Sequence, residues 1–236
     1  MRGAIVEGIH SDRATRLAVV EMIVAENGIG IGLGGGKATV TRTTIADNSF
    51  LGISSLANLR VDASTLRGNG TTSIYGGGIS MSRRADITNS TFVGNGAGVL
   101  VSSYSTARVA SSTFSGNDIG VLLEGNSPKA RIRESIIAGN TSADCVTQLP
   151  SAKLYVAGTS LIGNPTCSYT AARSAAVLTG DPLLEPLADN GGPTPTQALQ
   201  PASPALGIVG RAGACRVDQR GEPRSVPCDL GAFEAP

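Results

Sequence analysis

Ile87-Thr88-Asn89-Ser90-Thr91-Phe92-Val93-Gly94-Asn95 is the clearest copy of a phrase that runs through most of the chain. An apolar β-branched residue opens it, Ser and Thr fill its middle, a large apolar residue follows, and Asn closes it. The same frame returns at Val40–Asn48, Val61–Asn69, Val109–Asn117, Ile132–Asn140 and Val156–Asn164, with a weaker copy at Val19–Asn27. The closing asparagines stand 21, 21, 26, 22, 23 and 24 residues apart. A period in the low twenties with slack in one segment is the signature of a solenoid.

The chemistry of each copy selects the kind of solenoid. The segments are rich in Val, Ile, Thr and Ser and are punctuated by Gly and Asn, which suits strands and tight turns. Neither a dense Leu pattern nor helical spacing is present. Counted back from each Asn, positions −8 and −3 are apolar in every copy, as in Val40 and Ile45, Val61 and Leu66, Ile87 and Phe92, Val109 and Phe114. Position −5 is Thr43, Ser64, Ser90, Ser112, Ser135 or Thr159. A strand over −5 to −3 points both its end residues inward, because strand side chains alternate. A second strand-like piece, opened by Gly, follows each Asn, as in Gly78-Ile79-Ser80-Met81 and Gly98-Val99-Leu100-Val101.

These observations predict an all-β chain, a parallel β-helix of about seven coils stacked ~4.8 Å apart. Asn27, Asn48, Asn69, Asn95, Asn117, Asn140 and Asn164 then fall into one ladder, satisfying backbone groups at a bend and tolerating a left-handed backbone there. Their role is read as structural. Residues 18–164, with strings such as Ser90–Asn95 (STFVGN) and Ser112–Asn117 (STFSGN), resemble the right-handed parallel β-helix repeats of pectate-lyase-like and bacterial surface proteins. Handedness is implied by that resemblance, not by spacing.

Composition fits such a body. Aromatic residues make up 3% and charged residues 16% of the 236, and glycine is abundant. The net charge of +1 gives no general attraction to nucleic acid or to an anionic membrane. No stretch is apolar enough to span a membrane, and no secretory leader is visible. The four cysteines carry no CxxC spacing, so zinc is not indicated, and no cofactor is expected. Pairing by proximity joins Cys145 to Cys167 and Cys215 to Cys228, one of three connectivities. Disulfides imply an oxidising compartment; four free thiols are the alternative. The chain reads as a fragment of a longer exported protein whose signal peptide and anchor lie outside it.

Candidate binding residues follow from the frame. Position −9 is Arg60, Asp86, Arg108 and Arg131 in successive coils and faces outward. One reading is a basic stripe for an acidic polysaccharide. The other, preferred on sequence, is a solvated strand face in which Asp86 relieves the repulsion between its arginine neighbours. The longest interval, 69–95, holds an insertion around residues 70–77 that carries Tyr75. Tyr75 and Tyr104 could stack on a sugar ring. Gly30 to Gly36 superficially matches a nucleotide-binding glycine loop, but a β segment follows it, so it is read as a flexible turn between coils. His10, the single histidine, is read as a surface loop residue.

After about residue 170 the style changes, dividing the chain into a repeat body, 1–170, and a Pro/Gly-rich C-terminal cap, 171–236. Asp218, Arg220 and Arg224 are expected to pin the cap through charge-assisted hydrogen bonds, with Asp229 paired to one of the arginines. Residues 181–234, through Asp181–Leu184 (DPLL), Asn190-Gly191-Gly192-Pro193-Thr194, Asp218–Arg224 (DQRGEPR) and Cys228–Glu234 (CDLGAFE), resemble the C-terminal region of bacterial choice-of-anchor Q proteins. Gly207 departs from that pattern, where Asp is usual. The resemblance implies surface export. The expectation is a monomeric, non-catalytic, secreted or cell-surface protein, adhesin-like or glycan-binding, with a glycan or host-surface polymer as partner. It has no nucleic-acid partner and does not insert into membranes. The alternative is a polysaccharide lyase, hydrolase or epimerase on the same fold. Asp118, Glu124 and Glu134 are scattered in frame and form no acidic cluster.

Overall fold

The computed structural model describes residues 6–12, 16–73, 75–210 and 215–236. Ala4 and Ile5 of the expected first strand, Arg13 of the loop after it and Ile74 of the insertion lie outside the described residues. Each coil contributes three strands, as in Leu51–Ser55, Asn58–Asp62 and Thr65–Arg67. Stacked in parallel, these build three sheets of seven, eight and eight strands among the described residues. The molecule is a parallel β-helix.

The repeat frame maps onto the core directly. Position −8 supplies the second sheet's inward column, Val40, Val61, Ile87, Val109, Ile132 and Val156, in register from coil to coil. Position −3 supplies the third sheet's column, Ile45, Leu66, Phe92, Phe114 and Ile137. The Phe92 and Phe114 rings stack with centroids 4.4 Å apart and planes 5° from parallel. The first sheet adds Ile31, Ile53, Ile79, Val99, Val121 and Cys145. All these residues are buried in one continuous cluster, each side chain contributing about 1.5–3 kcal/mol on burial.

Three corners turn each coil, and the two that flank the third sheet use the same device. Glu26, Asp47, Gly68, Gly94, Gly116 and Gly139, each one residue before a ladder Asn, have φ between 55° and 70°. The left-handed residue is therefore the one before the Asn, not the Asn itself. Each Asn from Asn27 to Asn117 sends both its backbone N–H and its Nδ2–H to the Oδ1 of the next, at 2.8–3.2 Å. The remaining Nδ2–H of Asn48, Asn69, Asn95 and Asn117 reaches a carbonyl of the preceding coil. This bonding leaves no room for a side chain in the adjoining strand. A Cβ on Gly30 would lie 2.7 Å from the Gly52 carbonyl and 2.9 Å from Asn48 Nδ2. That is why Gly30, Gly52, Gly78, Gly98 and Gly120 recur after Asn27, Asn48, Asn69, Asn95 and Asn117. Gly30 to Leu33 belong to a paired strand, Ile29–Leu33, the strand-like piece expected after Asn27, and only Gly34–Gly36 form the turn.

The second corner carries a hydroxyl ladder. Arg42, Ala63, Asn89, Ser111 and Glu134 have φ between 45° and 50°. The residue after each is the Ser or Thr of position −5. Its hydroxyl donates to the carbonyl two residues back and accepts the N–H of the previous coil's ladder residue. Position −5 is thus part of the corner, and the short strand covers −4 to −2, one residue later than the spacing suggested. In the last copy the frame slips by one more. Ile162, not Leu161, pairs with Ile137, and Ser160, not Thr159, joins the hydroxyl ladder. The slip puts Pro165 where the Asn would stand, and Asn164 is exposed, outside the ladder. Asp144 fills the vacated role: its Oδ1 accepts Asn140 N–H and Nδ2–H at 3.1 and 2.8 Å, and its Oδ2 accepts the Asn164 N–H at 2.6 Å.

Cys145 ends the first sheet's inward column and bonds Cys167 beneath it, with Cα atoms 5.4 Å apart. Cys215 bonds Cys228 in the tail, Cα to Cα 5.7 Å. The pairs are those expected by proximity. By loop closure alone each is worth about 3 kcal/mol.

The sheets continue through Tyr169–Ala171 and Val177–Leu178. Beyond them the irregular tail caps the flank of the stack, lying along the outer face of the third sheet. Thr65, Thr91 and Thr113 point outward from that sheet yet are buried, because the tail covers them. Gln219 clamps the two parts: its Nε2 donates to Thr65 Oγ1 and Thr194 Oγ1, and its Oε1 accepts the Thr91 hydroxyl. Gly231, at φ 87°, sits where a Cβ would lie 2.6 Å from Thr113 Oγ1. An apolar seam of Ile136, Ala138 and Leu161 against Leu199, Val209 and Leu230 completes the junction.

Within the tail, Arg220 Nε meets Asp218 Oδ2 at 2.8 Å and its guanidinium lies 3.9 Å over the Phe233 ring. Arg224 is buried and pairs with Glu234 at 3.3 Å while donating to the Val217, Asp229 and Gly231 carbonyls. Burial pulls the Arg224 pKa down from its ordinary value, and Glu234 opposes the shift. Asp229 does not pair with an arginine as expected. Its carboxylate instead accepts the Gly207 and Ala235 N–H groups, both at 2.7 Å, a geometry that backbone amides satisfy without a cation. Burial raises its pKa. The folded state therefore holds this proton more tightly than the unfolded chain, and the Asp229 contribution to stability falls as pH climbs through the interval between the two values.

Two variants test the ladder and the tail. Asn95→Ala removes the acceptor of the Asn69 N–H and Nδ2–H and the donor to the Leu66 carbonyl. It should lower unfolding free energy by about 3 kcal/mol, whereas Asn164→Ala should change it by less than about 0.5 kcal/mol; denaturant titration of both variants checks this. Arg224→Met leaves Glu234 buried without its cation and should cost about 3–5 kcal/mol, read in the same titration. An Arg224→Met protein as stable as the parent would remove the ion pair from the account of the tail.

Candidate functional site

The outer face of the second sheet collects cations because its strands alternate cleanly. In Asn58–Asp62, Leu59 and Val61 face the core while Asn58, Arg60 and Asp62 face out. Stacking in register sets Thr39, Arg60, Asp86, Arg108, Arg131 and Tyr155 in one outward column. Lys129 and Lys153 stand beside its lower end.

The carboxylates of this face are taken up within their own strands. Arg60 reaches Asp62 at 3.3 Å, and Arg84 holds Asp86 at 2.9 Å. Asp86 stands between Arg60 and Arg108 in the column, and its ion-pair partner is Arg84, two positions back on the same face. Arg108 and Arg131 are left on adjacent coils, ~4.8 Å apart by the strand spacing, with no carboxylate within 4.0 Å among the described residues. Arg131 instead lies over the Tyr155 ring, 5.5 Å from its centroid. Tyr155 was missed on sequence, although it occupies position −9 of the last copy.

Asp86, Arg108 and Arg131 line a cleft of about 450 Å³ together with Thr88, Ala110, Arg133 and Ala157. It continues into a second cleft of about 400 Å³ that shares Thr88, Ala110 and Arg133 and is bounded across the way by Arg216 and Val217 of the tail. A third, of about 250 Å³, extends past Arg133 to Ile208–Gly210. The three join into one groove along the second sheet's outer face, walled by the tail at the second and third clefts. Five arginines line it (60, 108, 131, 133 and 216) against three carboxylates, Asp62, Asp86 and Glu134. Each of those carboxylates lies within 4.0 Å of an arginine. The groove is thus a cationic trough, with the Tyr155 ring beside it under Arg131, suited to an extended anionic ligand.

Other candidates lie elsewhere. Tyr75 precedes the strand Gly77–Met81, at the corner between the third and first sheets; Tyr104 sits between Ala97–Val101 and Thr106–Ala110, at the corner between the first and second. A strand length of the first sheet separates these corners, and neither tyrosine lines the groove, although both are exposed. His10 lies on the edge strand Glu7–Ser11, its ring between the Glu7 and Asp12 carboxylates, and the hydrogen bonds to Asp12 and then Glu7 raise its pKa. The pinning residues Asp218, Arg220, Arg224 and Asp229 hold the tail and do not enter the groove. Among the described residues no group of three or more His, Cys, Asp or Glu could hold a metal ion, and no helix is long and apolar enough to cross a membrane.

Comparison with known proteins adds the family. The description "right handed beta helix region" matches residues 7–161. No curated protein and no solved structure matches the chain. With the three stacked parallel sheets already described, the match over residues 7–161 places this chain in the right-handed β-helix family.

Proposed function

We propose that this chain is a non-catalytic, secreted or cell-surface β-helix that binds an acidic polysaccharide in the groove between its second sheet and its tail. The observation that carries the reading is the Arg108–Arg131 pair, adjacent, outward-facing and without a carboxylate among the described residues, with Tyr155 beneath Arg131. A guanidinium binds carboxylate or sulfate through paired hydrogen bonds. A tyrosine face can stack on a sugar ring. The coil spacing of ~4.8 Å is close to the length of one sugar in an extended chain, so successive anionic groups can meet successive coils.

The same geometry argues against catalysis in the groove. Glycoside hydrolysis uses paired carboxylates flanking the bond, and each groove carboxylate here stands beside an arginine that occupies it. Display outside the cytoplasm is supported by the two disulfides. The choice-of-anchor Q resemblance of residues 181–234 points the same way. On this reading the solenoid is an adhesin-like stalk and the groove is its contact with a matrix or host polymer.

Titration with polygalacturonate tests the proposal. The parent chain should bind it, and should bind neutral dextran at least about a hundredfold more weakly. Arg108→Glu with Arg131→Glu should lower polygalacturonate affinity about a hundredfold, the cost of reversing two desolvated contacts. Raised salt should weaken parental binding. Appearance of new reducing ends or unsaturated uronate during the titration would instead make the protein an enzyme.

A further inference from the structure

We infer that the tail forms the second wall of the polyanion site, and that Arg216 is the residue with which it holds the polymer. This rests on the groove reading above and extends it to a residue far from the repeats in sequence.

Arg216 faces Arg60 and Arg133 across the second cleft. Its side chain is exposed, and no carboxylate lies within 4.0 Å of it among the described residues. The two carboxylates on the opposite wall, Asp62 and Glu134, are already beside Arg60 and Arg133. Arg216 is therefore not there to close an ion pair with the solenoid.

Its backbone, by contrast, is fixed on both sides. The preceding residue, Cys215, is buried and disulfide-bonded to Cys228. The Arg216 carbonyl accepts the Arg224 N–H at 3.0 Å, and Val217 bridges Pro223. Two residues on, Asp218 is buried against Arg220, and Gln219 is clamped to Thr65 and Thr91 of the third sheet. An exposed guanidinium on so constrained a main chain loses little backbone freedom when it binds, which is the condition for a strong contact. Placed opposite Arg60 and Arg133, it can reach the face of a polymer that the sheet cannot. A carboxylate or sulfate lying between the walls then meets cations from both sides.

Arg216→Glu, Arg216→Lys and Arg67→Glu test this against polygalacturonate, with heparin as the sulfated probe. Arg67 lies on the third sheet and pairs with Asp47, so its reversal changes net charge by the same amount away from the groove. Arg216→Glu should weaken binding of either polymer about tenfold or more. Arg216→Lys should retain most of the affinity for both, and Arg67→Glu should leave it within about twofold. Equal losses in Arg216→Glu and Arg67→Glu, with the parent binding, would overturn the role of Arg216 and leave the sheet-face reading standing. A parent chain that binds neither polymer would overturn both. Should Arg216→Glu melt early, Arg216→Gln decides: unchanged affinity in that variant would overturn the inference.

Discussion

One side-chain amide per coil, hydrogen-bonded along the axis, fixes how the coils stack. Each ladder Asn satisfies a backbone N–H above it, a carbonyl of the preceding coil and the next amide. It can do so because the residue before it turns left-handed and, from Asn27 to Asn117, the strand after it has glycine as its second residue. Once that register is set, every column follows: valines and isoleucines inward, arginines and lysines outward. Among the described residues no buried side-chain nitrogen or oxygen lacks a partner, which is what a stack of tight corners requires. The ladder ends in Asp144, whose two oxygens accept what an Asn would have accepted and also hold the Asn164 N–H.

Much of this is legible in the residues. The apolar positions −8 and −3 are the core columns, and the number of coils and both disulfides follow from spacing. The misreadings have physical causes. A left-handed corner residue has no composition of its own here; Arg42, Ala63, Asn89, Ser111 and Glu134 share only a φ, so the start of the short strand cannot be placed to the residue. Asn164 looks like a ladder member because Asn follows the right kind of segment, but the frame has slipped and Pro165 holds the slot. Asp86 looks matched to its column neighbours, yet its partner is Arg84 on the same strand.

The tail is legible as a different style of chain and illegible as to place. Its contacts with the body join residues such as Thr65 and Pro195, 130 apart, and no repeat marks such pairs. Tyr155 could have been found by carrying the outward column one coil further. Glu234, the partner of Arg224, lies in a quoted motif but outside the expected pinning set.

Body and tail together explain why a fold with so regular a surface has one cationic trough. The sheet supplies a flat ladder of arginines, most balanced in their own strand, with Arg108 and Arg131 left unbalanced, and the tail walls the adjoining stretch at Arg60 and Arg133. The most direct test is a crystal structure of the chain with a short oligogalacturonate. The account predicts an intact oligosaccharide lying along the groove, with carboxylates within hydrogen-bond distance of Arg108 and Arg131. A cleaved ligand, or one bound on the first or third sheet with the groove vacant, would contradict it.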